Sequence, residues 1–435
     1  MSNAAHKFQS SLLSNVNPSG LRRWSARALI DLGSCVTPEN TTTLLQEVLG
    51  RLAVQLGRLN AWKEEVDTIE YSTRPQNNSK VIRACNFPVS MSLKEHSYRV
   101  DMAKSEREKT LKYLKDLIQL HENTSMLPYE VLNGDGRAIL SSFTKPNQRY
   151  IDGIFDQIET RHGNSVETLA DAVISARNVE EILTPLKNDP VSRLDLLNDS
   201  SIESFLHSRL LIQLLCEHYI SLHKGKPTGA ISLDADLVDV VEDAVQDAKQ
   251  VCDANLGVCP EVIIRPMETH GSKDFIARPL IRSWSHHAIV ELSKNAMKSN
   301  IERWEKVPSV VREQLPPAVF VKVIRDTDHL AIQVVDQGVG LDEERTQKAF
   351  RFASSSSQSR WNRLEAQQSY CAVREPLGSL GVGLPISRMM LRAFGGDLFL
   401  VNRDSGVKIS ENEVLASGCT ATMKILYDAS FTAMN

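Results

Sequence analysis

Residues 287 to 298, His-Ala-Ile-Val-Glu-Leu-Ser-Lys-Asn-Ala-Met-Lys, restrict the fold more than any other stretch of the chain. On a helix, residues four apart are separated by about 40° and share one face. His287, Glu291 and Asn295 then form one stripe, with Lys294 and Lys298 beside it. Ala288, Leu292 and Ala296 form a parallel apolar stripe suited to packing on a sheet. One helix thus turns an imidazole, an acid, a carboxamide and two ammonium groups toward a single pocket. A solvated polar face on an amphipathic helix is the ordinary alternative. The stretch alone does not choose between them; the glycines downstream do.

The chain has 435 residues, long for one core and suited to two domains. Its net charge of -4 gives no global preference for nucleic acid or a membrane surface. The seven cysteines are scattered, odd in number and free of CxxC pairs, which argues against a disulfide framework or a cysteine-rich zinc site. No apolar run approaches the roughly 18 residues that span a bilayer. The first 30 residues hold no Asp or Glu but carry Lys7, Arg22, Arg23 and Arg27 among serines. That is a transit-peptide composition, so residues 1–23 are expected to be a mitochondrial targeting segment. A frayed basic terminus has the same composition.

The first half reads as helix. Thr37-Pro-Glu39 gives an N-cap, a first-turn proline and a first-turn acid. Leu44, Leu45, Val48, Leu49, Leu52, Leu56 and Leu59 follow at spacings of three and four. Residues 70–92 read as a loop, and 95–122 as a charged helix with a thin stripe at Leu111, Leu114, Leu117 and Leu120. Gly134-Asp-Gly136 and Lys145-Pro-Asn147 are turn signals. Helices are expected over Ile151–Ile182, interrupted near His162-Gly-Asn164, and over Ile202–His223. The simplest arrangement for residues 24–225 is an all-helical bundle. Lys224-Gly-Lys-Pro-Thr-Gly229 breaks the pattern and marks a domain boundary.

Beyond it, residues 226–430 alternate. Helices are expected over Leu237–Asn255 and about Pro279–Trp304, and strands over Glu261–Arg265, Val319–Ile324, Leu330–Val335, Leu398–Val401 and Thr420–Leu426. This is an α/β layer domain with an antiparallel-leaning sheet. The third of these strands delivers Asp336-Gln-Gly338-Val-Gly340. Glycines let backbone approach a ligand closely, and an Asp at a strand end suits an amino group such as adenine's. A second cluster, Gly378-Ser-Leu-Gly381-Val-Gly383, precedes a helical run, Ile386–Phe394. Free N–H groups at a helix N-terminus favour phosphate. Between the clusters, the Ser/Gln-rich stretch 354–369 reads as a lid or as a disordered insertion. The chain lacks GxxxxGK[ST], HRD and DFG, and no strand feeds a Rossmann GxGxxG.

E-x-x-x-N on a helix, D-x-G-x-G after a strand and G-x-G before a helix stand in fixed order. The set resembles the GHKL ATPase/kinase superfamily. Glu291-Leu-Ser-Lys-Asn-Ala-Met-Lys298 is similar to the ELxKNAMR box of the mitochondrial 2-oxoacid dehydrogenase kinases, which act on pyruvate dehydrogenase and branched-chain 2-oxoacid dehydrogenase. Gly381-Val-Gly-Leu-Pro-Ile-Ser-Arg388 with Phe394-Gly-Gly-Asp397 is similar to their second glycine box. In the helical half, Leu29-Ile-Asp-Leu-Gly-Ser34, Arg161-His-Gly-Asn164 and Ser208–Leu215 with His218 resemble further family segments.

The resemblance implies an N-terminal helical bundle followed by a GHKL (Bergerat) α/β sandwich that binds ATP. It implies a serine protein kinase of the mitochondrial matrix. Its partners would be the dehydrogenase component of a 2-oxoacid dehydrogenase complex and the lipoyl-bearing core, with homodimers and neither nucleic acid nor a membrane span. By that resemblance Glu291 is the general base and His287 orients it. Asn295 coordinates Mg²⁺, with K⁺ a further family ion. Asp336 holds the adenine amino group, while Gly338, Gly340, Gly381, Val382, Gly383 and Leu384 admit the nucleotide and wrap its phosphates. Lys294 and Lys298 supply positive charge, Ser355 and Ser356 reach phosphate, and Thr420 or Cys419 takes the role of the family threonine.

The departures are specific. Gln337-Gly-Val-Gly replaces Arg-Gly-Gly-Gly, Gly378-Ser379 replaces Ala-Gly, and Lys298 replaces Arg and so loses the bidentate fork. Gly418-Cys-Thr420 stands for Gly-Thr-Asp, and the Asp-Trp tail of the pyruvate dehydrogenase kinases is missing. Leu222-His-Lys-Gly-Lys-Pro227 leans toward the branched-chain type. Two other functions compete with the serine kinase. A two-component histidine kinase needs an H-E-x-x-x-P box, and no histidine here has that context. A non-catalytic ATP-binding regulator has no need of Glu291 and Asn295, both of which are present.

Overall fold

A computed structural model describes residues 24, 26–32, 36–69, 93–133, 145–183, 197–268, 275–277, 279–310, 313–325, 329–354, 381–403, 407–410, 413–415 and 417–426. The stretches expected as loop at 70–92, turn at 134–136 and lid beyond Ser354 lie outside these residues, as do Ser355 and Ser356. Two compact units divide the chain: Met1–Arg22 with Val36–Ile220, and Arg23–Cys35 with Ser221–Asn435.

The first unit is helical. Its helices are α2 (Pro38–Asp67), α3 (Leu93–Asn133), α4 (Lys145–Arg161), α5 (Ser165–Leu183) and most of α6 (Asp199–His223), while the short α1 (Ala26–Asp31) belongs to the second unit. Thr37 caps α2: its hydroxyl accepts the Asn40 amide at 3.2 Å, and Pro38 opens the first turn. The whole expected α2 stripe, from Leu44 to Leu59, is buried. The break between α4 and α5 falls at the expected His162–Asn164. Two expectations shift: α3 runs on to Asn133, and the Lys145-Pro-Asn147 signal opens α4 instead of forming a separate turn. A proline fits there because the first N–H groups of a helix have no acceptor within it.

The second unit is a two-layer α/β sandwich. Its sheet has five strands in the order β3 (Val262–Glu268), β6 (Val319–Arg325), β7 (His329–Val335), β11 (Gly418–Leu426), β8 (Asp397–Arg403). The β6–β7, β7–β11 and β11–β8 pairs are antiparallel, as expected, whereas β3 pairs with β6 in parallel. A parallel neighbour needs a crossover, and the segment between these two strands contains the long helix α8 (Arg282–Glu305). Short pairs β1 (Ile231–Ser232) with β5 (Leu280–Ile281), and β2 (Ala235–Asp236) with β4 (Ile276–Ala277), flank the helix α7 (Leu237–Leu256); β9 (Val407–Ser410) and β10 (Glu413–Leu415) form a separate hairpin.

Strand alternation sorts the two faces of the sheet. Val319, Val321 and Val323, Leu330, Ile332 and Val334, and Ala421, Met423 and Ile425 share a core with Val240, Val241 and Ala244 of α7 and Ala288, Leu292 and Ala296 of α8. The apolar stripe expected for α8 is therefore its buried side. On the opposite face Phe320 and Val335 form a small cluster, while Phe399 and Val401 remain exposed.

Candidate active site

Three elements build the site: helix α8, the loop that leaves β7, and the start of α10 (Gly383–Arg392), which follows the short α9 (Glu343–Lys348) in the chain. Glu291 is buried, and its Oε1 accepts a hydrogen bond from Lys294 Nζ at 2.7 Å. Lys294 is equally buried, so this ammonium is committed to the acid within the same helix. The other carboxylate oxygen lies against Gly383: a Cβ there would come within 2.1 Å of Glu291 Oε2. A side chain at position 383 would displace the Glu291 carboxylate from this position. The N-cap of α10, Val382, supplies no side-chain cap to its first turn. A partial positive helix end thus stands beside a carboxylate.

His287 is half-buried, one turn before Glu291. Asn295 is exposed one turn after it. Lys298 is half-exposed, with Nζ 3.8 Å from Glu302. Leu384 is half-buried and packs on the sandwich core. Gly381, at φ +74°, has its carbonyl bonded by the Ala353 amide at 3.0 Å.

The second acid is built differently. Asp336 is 7% exposed, and its Oδ1 accepts the Gly338 amide at 2.9 Å and the Cys419 amide at 3.1 Å. Its backbone carbonyl accepts a hydrogen bond from Arg403. Among the described residues Oδ2 accepts no hydrogen bond, which leaves it for a donor on a ligand. Burial raises the Asp336 carboxyl above its ordinary range, with the two amides and Arg403 pulling the other way. Gly338 is again a close approach, since a Cβ there would lie 1.9 Å from Ser299 Oγ of α8. Gly340, at φ +71°, precedes Leu341, whose amide bonds Asn402 Oδ1 at 2.9 Å.

The Gly418-Cys-Thr420 departure resolves by strand parity. Ala421, Met423 and Ile425 face the core, so Cys419 shares the Asp336 side, and Thr420, in register with Val335, lies on the other face. The geometry does not bring Thr420 to the remaining candidates. Burial, and then Asp336, push the Cys419 thiol up to about 11, so it remains protonated.

Sequence reasoning missed the second half of α8. Ser299 Oγ accepts the Val339 amide at 3.2 Å. Asn300, fully buried, accepts the Gln337 amide at 2.7 Å and donates to the Pro317 carbonyl at 2.7 Å. A signal existed: the four-residue stripe His287, Glu291, Asn295 continues to Ser299 and Arg303, and Asn300 is a polar residue in the buried phase of the helix.

A separate apolar cavity of about 40 Å³, lined by Leu280, Trp284, Met390, Leu391, Phe394 and Ile425, includes none of the candidate residues. Among the described residues no cluster of three His, Cys, Asp or Glu side chains forms a metal cage. Mg²⁺ does not need one, because it binds through one or two protein oxygens together with substrate phosphates and water. The exposed Asn295 carboxamide fits that pattern.

A carboxylate at a glycine-bounded helix start and a buried acid on a glycine loop thus lie on one α/β sandwich. Residues 282–428 match the family model described as histidine kinase-, DNA gyrase B- and HSP90-like ATPase. An ATPase family implies ATP as the ligand of this site. Beyond the domain, the chain is similar to the mitochondrial pyruvate dehydrogenase (acetyl-transferring) kinase of Drosophila melanogaster, 27% identical over 57% of each chain. It is similar also to isozyme 4 of that kinase from Mus musculus, 27% identical over 66% of this chain and 62% of the relative. The chain therefore spans about three fifths of the length of these curated relatives. The catalytic domain of the histidine kinase ThkA superposes with a TM-score of 0.30 at 12% identity, covering 45% of this chain and 94% of that one. The resemblance read from the motifs is thus met by named relatives. Among the described residues no helix is long and apolar enough to cross a membrane.

Proposed function

We propose that this chain is an ATP-dependent serine protein kinase that phosphorylates and inactivates a mitochondrial 2-oxoacid dehydrogenase. The observation that carries the reading is the Glu291 carboxylate held against Gly383 at the start of α10. A base beside a phosphate-binding helix end is placed for phosphoryl transfer, which depends on positioning and charge neutralisation. Glu291 takes the proton from the substrate serine hydroxyl as its oxygen bonds to the γ-phosphorus, and ADP departs. His287 orients the base, and Lys294 fixes one of its oxygens. Asp336 accepts the adenine amino group on Oδ2. Gly338 and Gly340 admit the base, and Gly381, Val382, Gly383 and Leu384 surround the phosphates, with Lys298 nearby as a counter-charge. Asn295 would hold Mg²⁺, which neutralises charge on the β- and γ-phosphates when bound. Contacts from Ser355 and Ser356, and K⁺ as a further ion, rest on the resemblance alone.

The matrix location is supported by relatives named as mitochondrial and by the acid-free, basic first 30 residues. A homodimer follows the resemblance. The dehydrogenase component as substrate follows the relatives' names, and docking to the lipoyl-bearing core follows the resemblance. The test is incubation with Mg-ATP and each purified complex, pyruvate and branched-chain, followed by phosphate mapping. Acid-stable phosphoserine on one dehydrogenase is expected. Acid-labile phosphate would point to a histidine kinase, and nucleotide binding without transfer to a non-catalytic regulator.

A further inference from the structure

We propose that Arg303 is a positioning residue for the nucleotide base, locking together the two chain segments that aim Asp336; this rests on the reading of the site as a nucleotide site. Arg303 lies in the last turn of α8 and is half-buried. Its Nη1 is 2.8 Å from the Ser417 carbonyl, 3.1 Å from that of Gln337 and 3.2 Å from that of Gly338, with Ser417 Oγ at 3.3 Å. Gln337 and Gly338 belong to the loop leaving β7, and Ser417 precedes β11. The Asp336 carboxylate is held from the same two segments, through the amides of Gly338 and Cys419.

The arrangement is reciprocal. On one side of the gap two N–H groups converge on a carboxylate oxygen; on the other, three carbonyls converge on one guanidinium nitrogen. Carbonyl oxygens turned toward a common point repel one another unless a cation sits between them. The Arg303 guanidinium supplies that cation. With Arg303 removed the two segments lose their shared cation, while the Asp336 amide still bonds the Cys419 carbonyl at 3.0 Å. The Asp336 carboxylate, and the aim of its Oδ2 toward a base amino group, is then held less firmly. Glu291 is twelve residues away along the same helix, about 18 Å, so the phosphate end of the site is insulated from this change.

The test is calorimetric titration of the whole protein, as wild type, Arg303→Met and Arg303→Lys, with Mg-ATP and separately with Mg-tripolyphosphate. Arg303→Met is expected to weaken Mg-ATP about tenfold, the scale of one lost charge-assisted contact, and to leave tripolyphosphate within about twofold. Arg303→Lys, which keeps the cation but not the fork, is expected to fall between. Equal losses for both ligands, or no loss for either, would overturn the proposal. If Arg303→Met does not fold, Arg303→Lys carries the same comparison. Wild-type protein that binds no Mg-ATP would remove the nucleotide reading and this inference with it. That outcome is distinct from wild type and variant binding alike, which removes the inference only.

Discussion

The two halves of α8 do opposite work. Around Glu291 the helix presents a side chain: a carboxylate with one oxygen fixed by Lys294 and the other facing the start of α10. Around Asn300 and Arg303 it presents donors and acceptors to backbone, and the groups it holds are amides and carbonyls of the glycine loop. One half offers a buried acid and the other a scaffold. On the proposed reading, motif residues on this helix divide into those that meet the substrate and those that fix the residues that do. Substitution at the two ends should therefore fail in different ways.

The largest effect belongs to the reactive end. Glu291→Gln should reduce phosphoryl transfer by about 10²- to 10⁴-fold, the usual worth of a general base, with Mg-ATP affinity within a few-fold. Single-turnover rates with radiolabelled ATP measure the first quantity and calorimetry the second. Near-normal transfer would take the base role from Glu291.

At the scaffold end the expected loss is stability. Asn300→Ala leaves the part-buried Gln337 amide without its acceptor, at a cost of about 1–3 kcal/mol. For a unit of this size that is a fall of roughly 2–10 °C in Tm. Transfer per correctly folded molecule should change less than in Glu291→Gln. A variant with wild-type Tm and lost activity would put Asn300 on the reactive side of the division.

Between the two lies Asp336, scaffolded on Oδ1 and open on Oδ2. Asp336→Ala should weaken Mg-ATP about 5- to 150-fold, matching about 1–3 kcal/mol for an unpaired amino group. Inorganic triphosphate should be affected far less. Equal losses would mean that Asp336 acts through the loop and not through the base.

The candidate acids were legible in the sequence, and the scaffold half was not. Glu291 and Asp336 stand in patterns of residue types, so their spacing, taken with the glycine clusters and the family resemblance, brings them forward as candidates. Ser299, Asn300 and Arg303 bind backbone groups, which any residue type supplies, so their partners leave no mark on the sequence. Helices and strands followed hydrophobic periodicity closely, down to the buried stripe of α2. The parallel β3–β6 pair was hidden because periodicity fixes which face a strand buries, not which neighbour it takes. Thr420 and Cys419 were separable only once the register of β11 against β7 was known. A shift of one residue exchanges the faces.

The smallest effect concerns the charge on Asp336. Burial raises its carboxyl pKa in the folded chain, against the pull of the Gly338 and Cys419 amides and Arg403. A raised folded value means that the folded state holds the proton more tightly than the unfolded chain does. The resulting stability is present at low pH and is lost as pH rises through the folded value. At neutral pH the ionised group therefore costs stability in the nucleotide-free protein. Asp336→Asn keeps an oxygen for the two amides and removes the charge. It should raise the Tm of the nucleotide-free protein at pH 7. The advantage should shrink as pH is lowered through the folded value, because the wild-type carboxyl then becomes neutral as well. Calorimetric melts of both proteins across that range measure the trend. An Asn variant that melts lower at pH 7 and recovers in acid would show that the amides and Arg403 outweigh burial. Asp336 would then belong wholly with the scaffold.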